Sequence, residues 1–307
     1  MILNILFIVI GIVLVLWGAD RLTDGAVAVA EKMKMPQIVI GLTIVAMGTS
    51  MPEFCVSLIS ALKGTSDLAV GNIVGSNIFN TLLIVGVSAL VAPMSIMKTT
   101  VRKDIPFALV ASALLLIMCL DGDISRIDAA ILFVMFLIFM YITLRGAKAQ
   151  GTDVEEKEKK PMATWLSVVW ILVGLACLIG GSNLFVDGAT AVATKLGVSE
   201  AVIGLTIVAG GTSLPELATS VVSARKGNSG IAIGNVLGSN VFNILAILGL
   251  TGVISPMTLK GITMTDLSMM VISIILIWLF SFTKYKIERW EGAILTAVFV
   301  GYIYSLL

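Results

Sequence analysis

Long apolar segments separated by short polar loops run along most of this chain. Five apolar segments precede residue 146, near residues 2–30, 37–62, 68–92, 104–120 and 127–145. Five more follow it, near residues 164–193, 200–224, 231–254, 266–283 and 289–306. Because about 20 apolar residues cross a bilayer as a helix, the pattern predicts an all-α integral membrane protein with ten transmembrane helices.

A polar stretch separates the two sets of segments. From Arg145 to Pro161 it reads RGAKAQGTDVEEKEKKP, with mixed charges and no apolar periodicity. That composition is typical of a solvated linker. The predicted organisation is an N-terminal five-helix repeat over residues 1–145, a linker over residues 146–162 and a C-terminal five-helix repeat over residues 163–307.

The second half repeats the first at an offset of 163 residues. VIGLTIVAMGTSMPE at Val39–Glu53 recurs as VIGLTIVAGGTSLPE at Val202–Glu216, and GNIVGSNIFN at Gly71–Asn80 recurs as GNVLGSNVFN at Gly234–Asn243. From residue 37 to residue 84, 29 of 48 positions are identical to the residue 163 positions later. Because each half holds an odd number of spans, the second half enters the membrane from the opposite side, so the sequence predicts two inverted repeats.

Basic residues indicate how the chain is oriented. With the N-terminus outside, the cytoplasmic loops and linker hold fifteen Lys and Arg residues, and the outer loops hold four. Positive charge concentrates on the cytoplasmic side of membrane proteins. We therefore predict a multi-pass protein of the plasma membrane with both termini extracellular and the linker cytoplasmic.

Composition narrows the class of protein and of partner. Hydrophobic residues make up 58% of the chain and charged residues 13%, whereas a soluble domain holds about 25% charge. A net charge of +1 without a basic stripe argues against nucleic acid as a partner, and no obligate protein partner is indicated. Histidine is absent and the three cysteines are isolated, which disfavours zinc or copper transport. No cofactor is expected.

Glu53 and Glu216 are the two residues that point most directly to function. Each lies among apolar neighbours in the middle of a predicted span. A carboxylate there is costly, and it usually marks a functional site. A protonated structural Glu is the alternative for one such residue, but two at equivalent positions of a repeat favour a shared site.

Oxygen atoms surround both acids in the repeated motifs. Thr49 and Ser50 precede Glu53 by about one helical turn, and Thr212 and Ser213 precede Glu216 in the same way. Pro52 and Pro215 lack an N–H, so we expect the helices to break there and to free the backbone carbonyls of residues 46–48 and 209–211.

The second repeated motif adds neutral oxygens. Ser76 and Asn80 are four residues apart, as are Ser239 and Asn243, so each pair shares one helix face. An all-oxygen set with two carboxylates suits Ca2+, which takes six to eight oxygen ligands, and also Na+. We expect the other motif asparagines to cap or cross-link helices, with a ligand role as the alternative: Asn72, Asn77, Asn235 and Asn240. The acids nearer the predicted helix ends are interpreted as solvated carboxylates: Asp20, Asp24 and Asp187.

At these residues the chain resembles the cation/calcium exchanger superfamily, specifically its prokaryotic sodium/calcium exchangers. GTSMPE with GSNIFN, and GTSLPE with GSNVFN, are similar to the two alpha-repeats of that family. The resemblance covers nearly the whole chain. It implies a calcium/sodium antiporter rather than an enzyme, embedded in the lipid bilayer, with Na+ and Ca2+ as the transported ions.

The resemblance also implies the ligands. Glu53 and Glu216 match the central ligands of the family, and with them we expect Thr49 and Thr212 to bind Ca2+. The expected Na+ ligands are Ser50, Ser76, Asn80, Ser213, Ser239 and Asn243. Backbone oxygen from Ala46 and Ala209 is implied to contribute.

A mechanism and one departure follow from the same resemblance. Two long helices, over residues 2–30 and 164–193, are expected to slide across an eight-helix core, and Na+ moving inward would drive Ca2+ outward. Some family members carry Asp at the position of Asn243. With Asn there, the predicted cage holds two negative charges rather than three, which leaves open the number of Na+ ions per cycle and any K+ requirement.

Other functions remain to be compared. Proton-coupled Ca2+ exchangers of this fold usually carry a GNxxE-type motif and often a nearby His, and neither occurs here. A membrane enzyme would need a nucleophile, a base or a metal triad, whereas the motifs offer hydroxyls, amides and two acids. A passive channel would conduct without a counter-ion gradient, so flux measurements would separate it from an exchanger.

The predicted topology can be tested by chemical labelling. Single cysteines placed within residues 146–160 should react with a membrane-impermeant thiol reagent only from the cytoplasmic side, and cysteines near either terminus only from outside. The measurement is labelling of right-side-out and inside-out vesicles, in a background with the native cysteines replaced. Termini and linker that react from the same side would contradict the plan of five plus five spans.

Overall fold

The computed structural model describes residues 2–149, 162–197 and 209–306, and most of these residues are helical. In the first half the helices are α1 Ile2–Met33, α2 Gln37–Thr49, α3 Met51–Leu62, α4 Ser66–Val91, α5 Thr100–Asp121 and α6 Arg126–Ala149. In the second half they are α7 Thr164–Lys195, α8 Ala209–Thr212, α9 Leu214–Arg225, α10 Ser229–Ile254, α11 Met264–Ser281 and α12 Arg289–Leu306.

Seven of the described helices are long and apolar enough to cross a membrane, and α2 with α3 can form an eighth span that is bent by 49°. The seven are α1, α4, α5, α6, α7, α10 and α11. Of the two other spans that the sequence predicts, α12 has 18 residues but begins with Arg289 and Glu291 and is not among the seven. The span predicted over 200–224 lies partly outside the described residues.

Helices α4 and α10 lie at the centre of the bundle. Of the 18 most apolar consecutive residues in each helix, 94% are buried in α10 and 72% in α4. The corresponding shares are 22% in α1 and 28% in α7. The two helices that carry the second repeated motif are therefore enclosed by protein, whereas most of α1 and α7 is exposed at the edge of the bundle.

Four two-residue strands, which the sequence did not predict, join the two halves. They are β1 Met94–Ser95, β2 Asp123–Ile124, β3 Met257–Thr258 and β4 Lys286–Ile287. β1 pairs antiparallel with β4, and β2 pairs antiparallel with β3. Met94 faces Ile287, and Met257 faces Ile124 in the same register. Met257 is the repeat counterpart of Met94, and Ile287 is that of Ile124. The two strand pairs are therefore equivalent under the repeat, and the two halves make equivalent contacts.

A glycine seam, formed by Gly11 and Gly18 of α1 and Gly174 and Gly181 of α7, brings these long helices into backbone contact. A Cβ atom added at Gly18 would lie 2.8 Å from the carbonyl oxygen of Gly174, and one added at Gly11 would lie 2.7 Å from that of Gly181. Small residues permit such close packing between membrane helices. The seam therefore holds α1 and α7 together as a pair.

The seam predicts a measurable cost for one methyl group. At Gly174 the added Cβ of a Gly174→Ala variant would lie 2.7 Å from the backbone nitrogen of Leu22, which cannot move aside cheaply. We expect a loss of about 1–3 kcal/mol in the free energy of unfolding, the usual range for overpacking. Gly180→Ala, on the same helix with no atom within 4 Å of the added Cβ, is the matched control. The measurement is thermal unfolding in detergent. If the melting temperature falls equally in the two variants, the glycine seam does not stabilise the contact between α1 and α7.

Candidate cation-binding site

Breaks in two helices place the repeated acids at the centre of the protein. α2 ends and α3 begins at Ser50, whose φ and ψ are −85° and 12°. Ser213 interrupts the chain before α9 in the same way, at −91° and 7°. The proline that follows each serine has no N–H to continue the helix, which confirms the predicted breaks. Glu53 and Glu216 consequently lie in the first turn of α3 and α9, where the positive end of the helix dipole favours a carboxylate.

The two acids are held across the boundary between the halves. Ser50 Oγ donates a hydrogen bond of 2.8 Å to Glu216 Oε1, and Ser213 Oγ donates one of 3.0 Å to Glu53 Oε1. Each half therefore supplies the serine that binds the other half's glutamate. Both glutamates are 1% exposed, so the two carboxyl groups are removed from solvent and lie in one buried cluster.

Residues of α4 and α10 complete this cluster. Ser76 Oγ lies 3.2 Å from Ser213 Oγ. Asn80 Nδ2 donates to Asn240 Oδ1 at 3.1 Å, and Asn243 Nδ2 donates to Asn77 Oδ1 at 3.0 Å. Because the amide nitrogens of Asn80 and Asn243 are used in these bonds, the amide oxygens are the groups left to accept a ligand.

Several buried oxygens have no hydrogen-bond partner among the described residues. Five of them belong to the repeated motifs: Glu53 Oε2, Glu216 Oε2, Asn80 Oδ1, Asn243 Oδ1 and Ser239 Oγ. Others, such as Ser88 Oγ and Thr251 Oγ1, lie on residues that the motifs do not include. A buried polar atom without a partner is costly, more so when it carries charge. All five belong to the residues that the sequence selected, and an oxygen set with two carboxylates is suited to a hard cation such as Ca2+.

A second layer of asparagines fixes the residues that carry these oxygens. Asn72 Nδ2 donates to the Glu53 carbonyl oxygen at 3.2 Å and to Ser57 Oγ at 3.0 Å. Asn235 Nδ2 makes the equivalent bonds to the Glu216 carbonyl oxygen and to Ser220 Oγ, also at 3.2 and 3.0 Å. The sequence predicted such cross-links between helices, and these contacts confirm them.

Asn240 cross-links the two central helices. Its amide oxygen accepts from Asn80, its amide nitrogen donates to Thr81 Oγ1 at 2.7 Å, and its carbonyl oxygen accepts from Asn77 Nδ2 at 3.2 Å. Thr49 is anchored similarly, because its hydroxyl donates to Asn235 Oδ1 at 3.1 Å. These bonds hold the side chains of the first and second motifs in fixed positions.

The predicted release of backbone carbonyls is only partly right. The Ala46 carbonyl oxygen accepts the Ser50 N–H at 3.0 Å, so it remains in the helical network. The carbonyl that loses its helical donor to Pro215 is that of Gly211, and Ser182 Oγ of α7 donates to it instead. Ala209 begins α8, and ligand roles for Ala46 and Ala209 stay predictions.

The cluster opens to one side of the protein. A cavity of about 310 Å³ lies beside it, lined by Pro52, Ser182, Asn183, Val186, Asp187, Gly211 and Thr212. At the equivalent positions of the other half, Ala19, Thr23 and Thr49 are each 0% exposed. Thr212 is partly exposed, whereas Thr49 is not. The sequence identified the cluster but not this difference, because a near-perfect repeat carries no sign of which side is open.

Comparison with known proteins gives consistent matches. The family model described as sodium/calcium exchanger protein matches residues 3–145 and residues 166–307. The putative antiporter CaxA of Alkalimonas amylolytica is 39% identical over 316 aligned residues, which cover 100% of this chain and 99% of that protein. The sodium/calcium exchanger MaX1 of Methanosarcina acetivorans is 32% identical, over 99% of this chain and 98% of that protein.

A solved structure matches over the same extent. The structure of the sodium-calcium exchanger NCX_Mj soaked with zero Na+ and Ca2+ has a TM-score of 0.88 and 31% sequence identity to this chain. The match covers 100% of this chain and 99% of the other. At this level of similarity the helical fold of the whole chain is shared.

The role of Asn240 as a cross-link can be tested by truncation. Asn240→Ala leaves the buried Asn80 amide nitrogen without its acceptor, which costs about 1–3 kcal/mol, and it also removes the hydrogen bond that Asn240 donates to Thr81 Oγ1. We expect a lower melting temperature in detergent, by more than for Asn183→Ala, whose side chain is exposed at the cavity mouth. Equal melting temperatures for the two variants would show that the asparagine network does not stabilise the fold.

Proposed function

On the premise that this chain belongs to the sodium/calcium exchanger family, whose members exchange cations with Ca2+ across a membrane, we propose that it is a secondary active antiporter of Na+ and Ca2+. The observation that carries the proposal is the set of five buried oxygens without partners, four of them on Glu53, Glu216, Asn80 and Asn243. They lie between the halves, and a cavity lined by Pro52, Gly211 and Thr212 adjoins the two helix breaks.

Competition for the same two carboxylates explains why exchange would be coupled. A buried pair of carboxylates without a cation is strongly unfavourable in a low-dielectric interior. One Ca2+ neutralises the charge of Glu53 and Glu216, and so do Na+ ions bound beside them. We infer that the site crosses between the two sides only when it is neutralised, so one ion must replace the other.

The two ions would use different oxygens of the cluster. We assign Ca2+ to Glu53, Glu216, Thr49 and Thr212, because a divalent ion needs both carboxylates. We assign Na+ to the neutral oxygens of the two repeated motifs. These are Ser50, Ser76, Asn80, Ser213, Ser239 and Asn243, four of which are tied to the glutamates or to the asparagine network by the bonds described above.

The proposed architecture is ten transmembrane helices in two inverted repeats, 1–145 and 163–307, joined by the linker 146–162. The equivalent register of the strand pairs β1–β4 and β2–β3 supports it. So does their placement, because the predicted topology puts both strands of each pair on the same side of the membrane. Both termini are proposed to be extracellular and the linker cytoplasmic, in the plasma membrane.

Alternating access would come from movement of the α1–α7 pair. The glycine seam joins the two helices to each other, and they lie at the edge of the bundle, where lipid allows displacement. Ser182 of α7 touches the break before α9, so movement of the pair changes access to Thr212 and Glu216. In the proposed direction, Na+ entering down its gradient drives Ca2+ out.

A reconstituted assay tests the coupling ion. The protein is placed in proteoliposomes, and Ca2+ uptake is driven separately by an outward gradient of Na+, of H+ or of K+. We expect uptake with the Na+ gradient alone. Uptake driven by H+ alone, or uptake by Na+ only when K+ is present, would replace the proposal by H+/Ca2+ or K+-dependent Na+/Ca2+ exchange. Ca2+ flux that needs no counter-ion gradient would indicate a channel.

Removing one charge from the site should abolish transport. Glu53→Gln and Glu216→Gln each keep the size of the side chain but leave one negative charge for a divalent ion, so we expect Na+-driven Ca2+ flux to fall to the level of protein-free liposomes. The matched control is Glu291→Gln, another fully buried glutamate that bonds instead to the Glu288 N–H at the start of α12. Flux near the native level in either site variant would contradict the two-carboxylate site.

A further inference from the structure

Lys226 joins the α1–α7 pair to the core of the protein. Its Nζ lies 2.6 Å from Asp20 Oδ1 and 2.8 Å from Asp24 Oδ1, and it donates to the Asp20 carbonyl oxygen at 3.1 Å. The two aspartates belong to α1, whereas Lys226 caps the C-terminus of α9. These ion pairs therefore connect the edge of the bundle to a helix that carries the cation site.

Arg21 also binds the aspartates, but it remains within the α1–α7 pair. It forms an ion pair with Asp20, and its guanidinium lies 5.3 Å from the ring of Trp170 in α7 and 6.0 Å from that of Trp17 in α1. All the contacts of Arg21 given above are with residues of α1 or α7. Lys226 is thus the charge whose bonds must break if α1 and α7 are displaced from the core.

The repeat places the same groups on the other side of the protein. Lys63 caps α3 as Lys226 caps α9, and each is followed by a glycine in the left-handed region, Gly64 at φ 75° and Gly227 at φ 79°. The counterpart of Asp24 is Asp187, which lines the open cavity.

The second set of charges, Lys63 and Asp187, is not joined by an ion pair. Among the described residues, neither Lys63 nor Asp187 takes part in an ion pair, and both are exposed. Thr23, one residue before Asp24, is buried and bonded to Ser223 Oγ of α9 at 3.0 Å, whereas its counterpart Val186 lines the cavity. The described residues therefore include two equivalent sets of charges: one set is paired, and the other is unpaired with its Asp187 at the cavity.

We propose that these charges form two alternating latches. The inner latch, Asp20, Asp24 and Lys226, closes the predicted cytoplasmic side while the cavity is open. The outer latch, Asp187 and Lys63, closes the cavity when the α1–α7 pair has moved. The proposal rests on the alternating access proposed above, and it assigns to these residues the balance between the two open states rather than ion binding.

The latches make opposite predictions for two equivalent lysines. Lys226→Met weakens the state in which the cavity is open, and Lys63→Met weakens the state in which it is closed. Each partly exposed ion pair contributes little, so the expected shift in the ratio of the two states is about threefold to fivefold. Asn183→Asp, which restores at the outer latch the second carboxylate that Asp20 supplies at the inner one, should favour the closed cavity.

Cysteine accessibility measures this ratio. Single reporters Val186→Cys and Thr23→Cys are introduced after the native Cys55, Cys119 and Cys177 are replaced. A membrane-impermeant thiol reagent is applied to right-side-out vesicles for the first reporter and to inside-out vesicles for the second. Lys226→Met should slow labelling of Val186→Cys and accelerate that of Thr23→Cys. Lys63→Met should do the reverse, and Asn183→Asp should slow labelling of Val186→Cys.

The control is Lys103→Met, which removes a positive charge on the predicted cytoplasmic side away from both latches. Labelling rates that stay unchanged in both lysine variants, or that change in the same direction in both, would overturn the proposal, since general loss of packing acts on both sides alike. Na+-driven Ca2+ flux is also measured for the protein without latch substitutions. Absent flux contradicts the proposed function, whereas normal flux with unchanged labelling contradicts the latches alone.

Discussion

Two carboxylates buried together impose the main constraint on this protein. Glu53 and Glu216 are removed from water, and each has one oxygen bonded to a serine and one without a partner among the described residues. The interior must then supply groups that replace water around the acids, and the described residues offer helix N-termini, serine hydroxyls and amide oxygens. The breaks at Ser50 and Ser213 and the asparagine cross-links between α4 and α10 all serve to place such groups around the two acids.

Neither half can build this site alone. Ser50 bonds the glutamate of the second half and Ser213 that of the first, and Asn80 and Asn243 each donate to an asparagine of the opposite motif. The strand pairs at either end of the bundle also take one strand from each half. A displacement between the halves would therefore change all of these contacts together.

The sequence predicted the features that follow from composition and from the repeat. Apolar length located the helices to within a few residues, the position of Pro52 and Pro215 located the breaks, and the paired motifs selected Glu53 and Glu216. It did not predict contacts that depend on which faces meet. The bond from Ser182 to the Gly211 carbonyl, the strands and the pairing of Lys226 with α1 involve residues far apart in the chain. The sequence also left open which side of the site is accessible, because both halves carry nearly the same motifs.

The register of the two strand pairs also bears on the origin of the chain. Met94 pairs with Ile287 as Met257 pairs with Ile124, and the serine–glutamate bonds exchange in the same way. This is the contact rule of a symmetric dimer, in which residue i of one subunit meets residue j of the other and j meets i. Two copies of a single ancestral unit, paired as a symmetric dimer, would satisfy every one of these bonds. Fusion of two copies then freed each position to diverge, and Asp20 opposite Asn183 is a place where the inherited symmetry has since been lost.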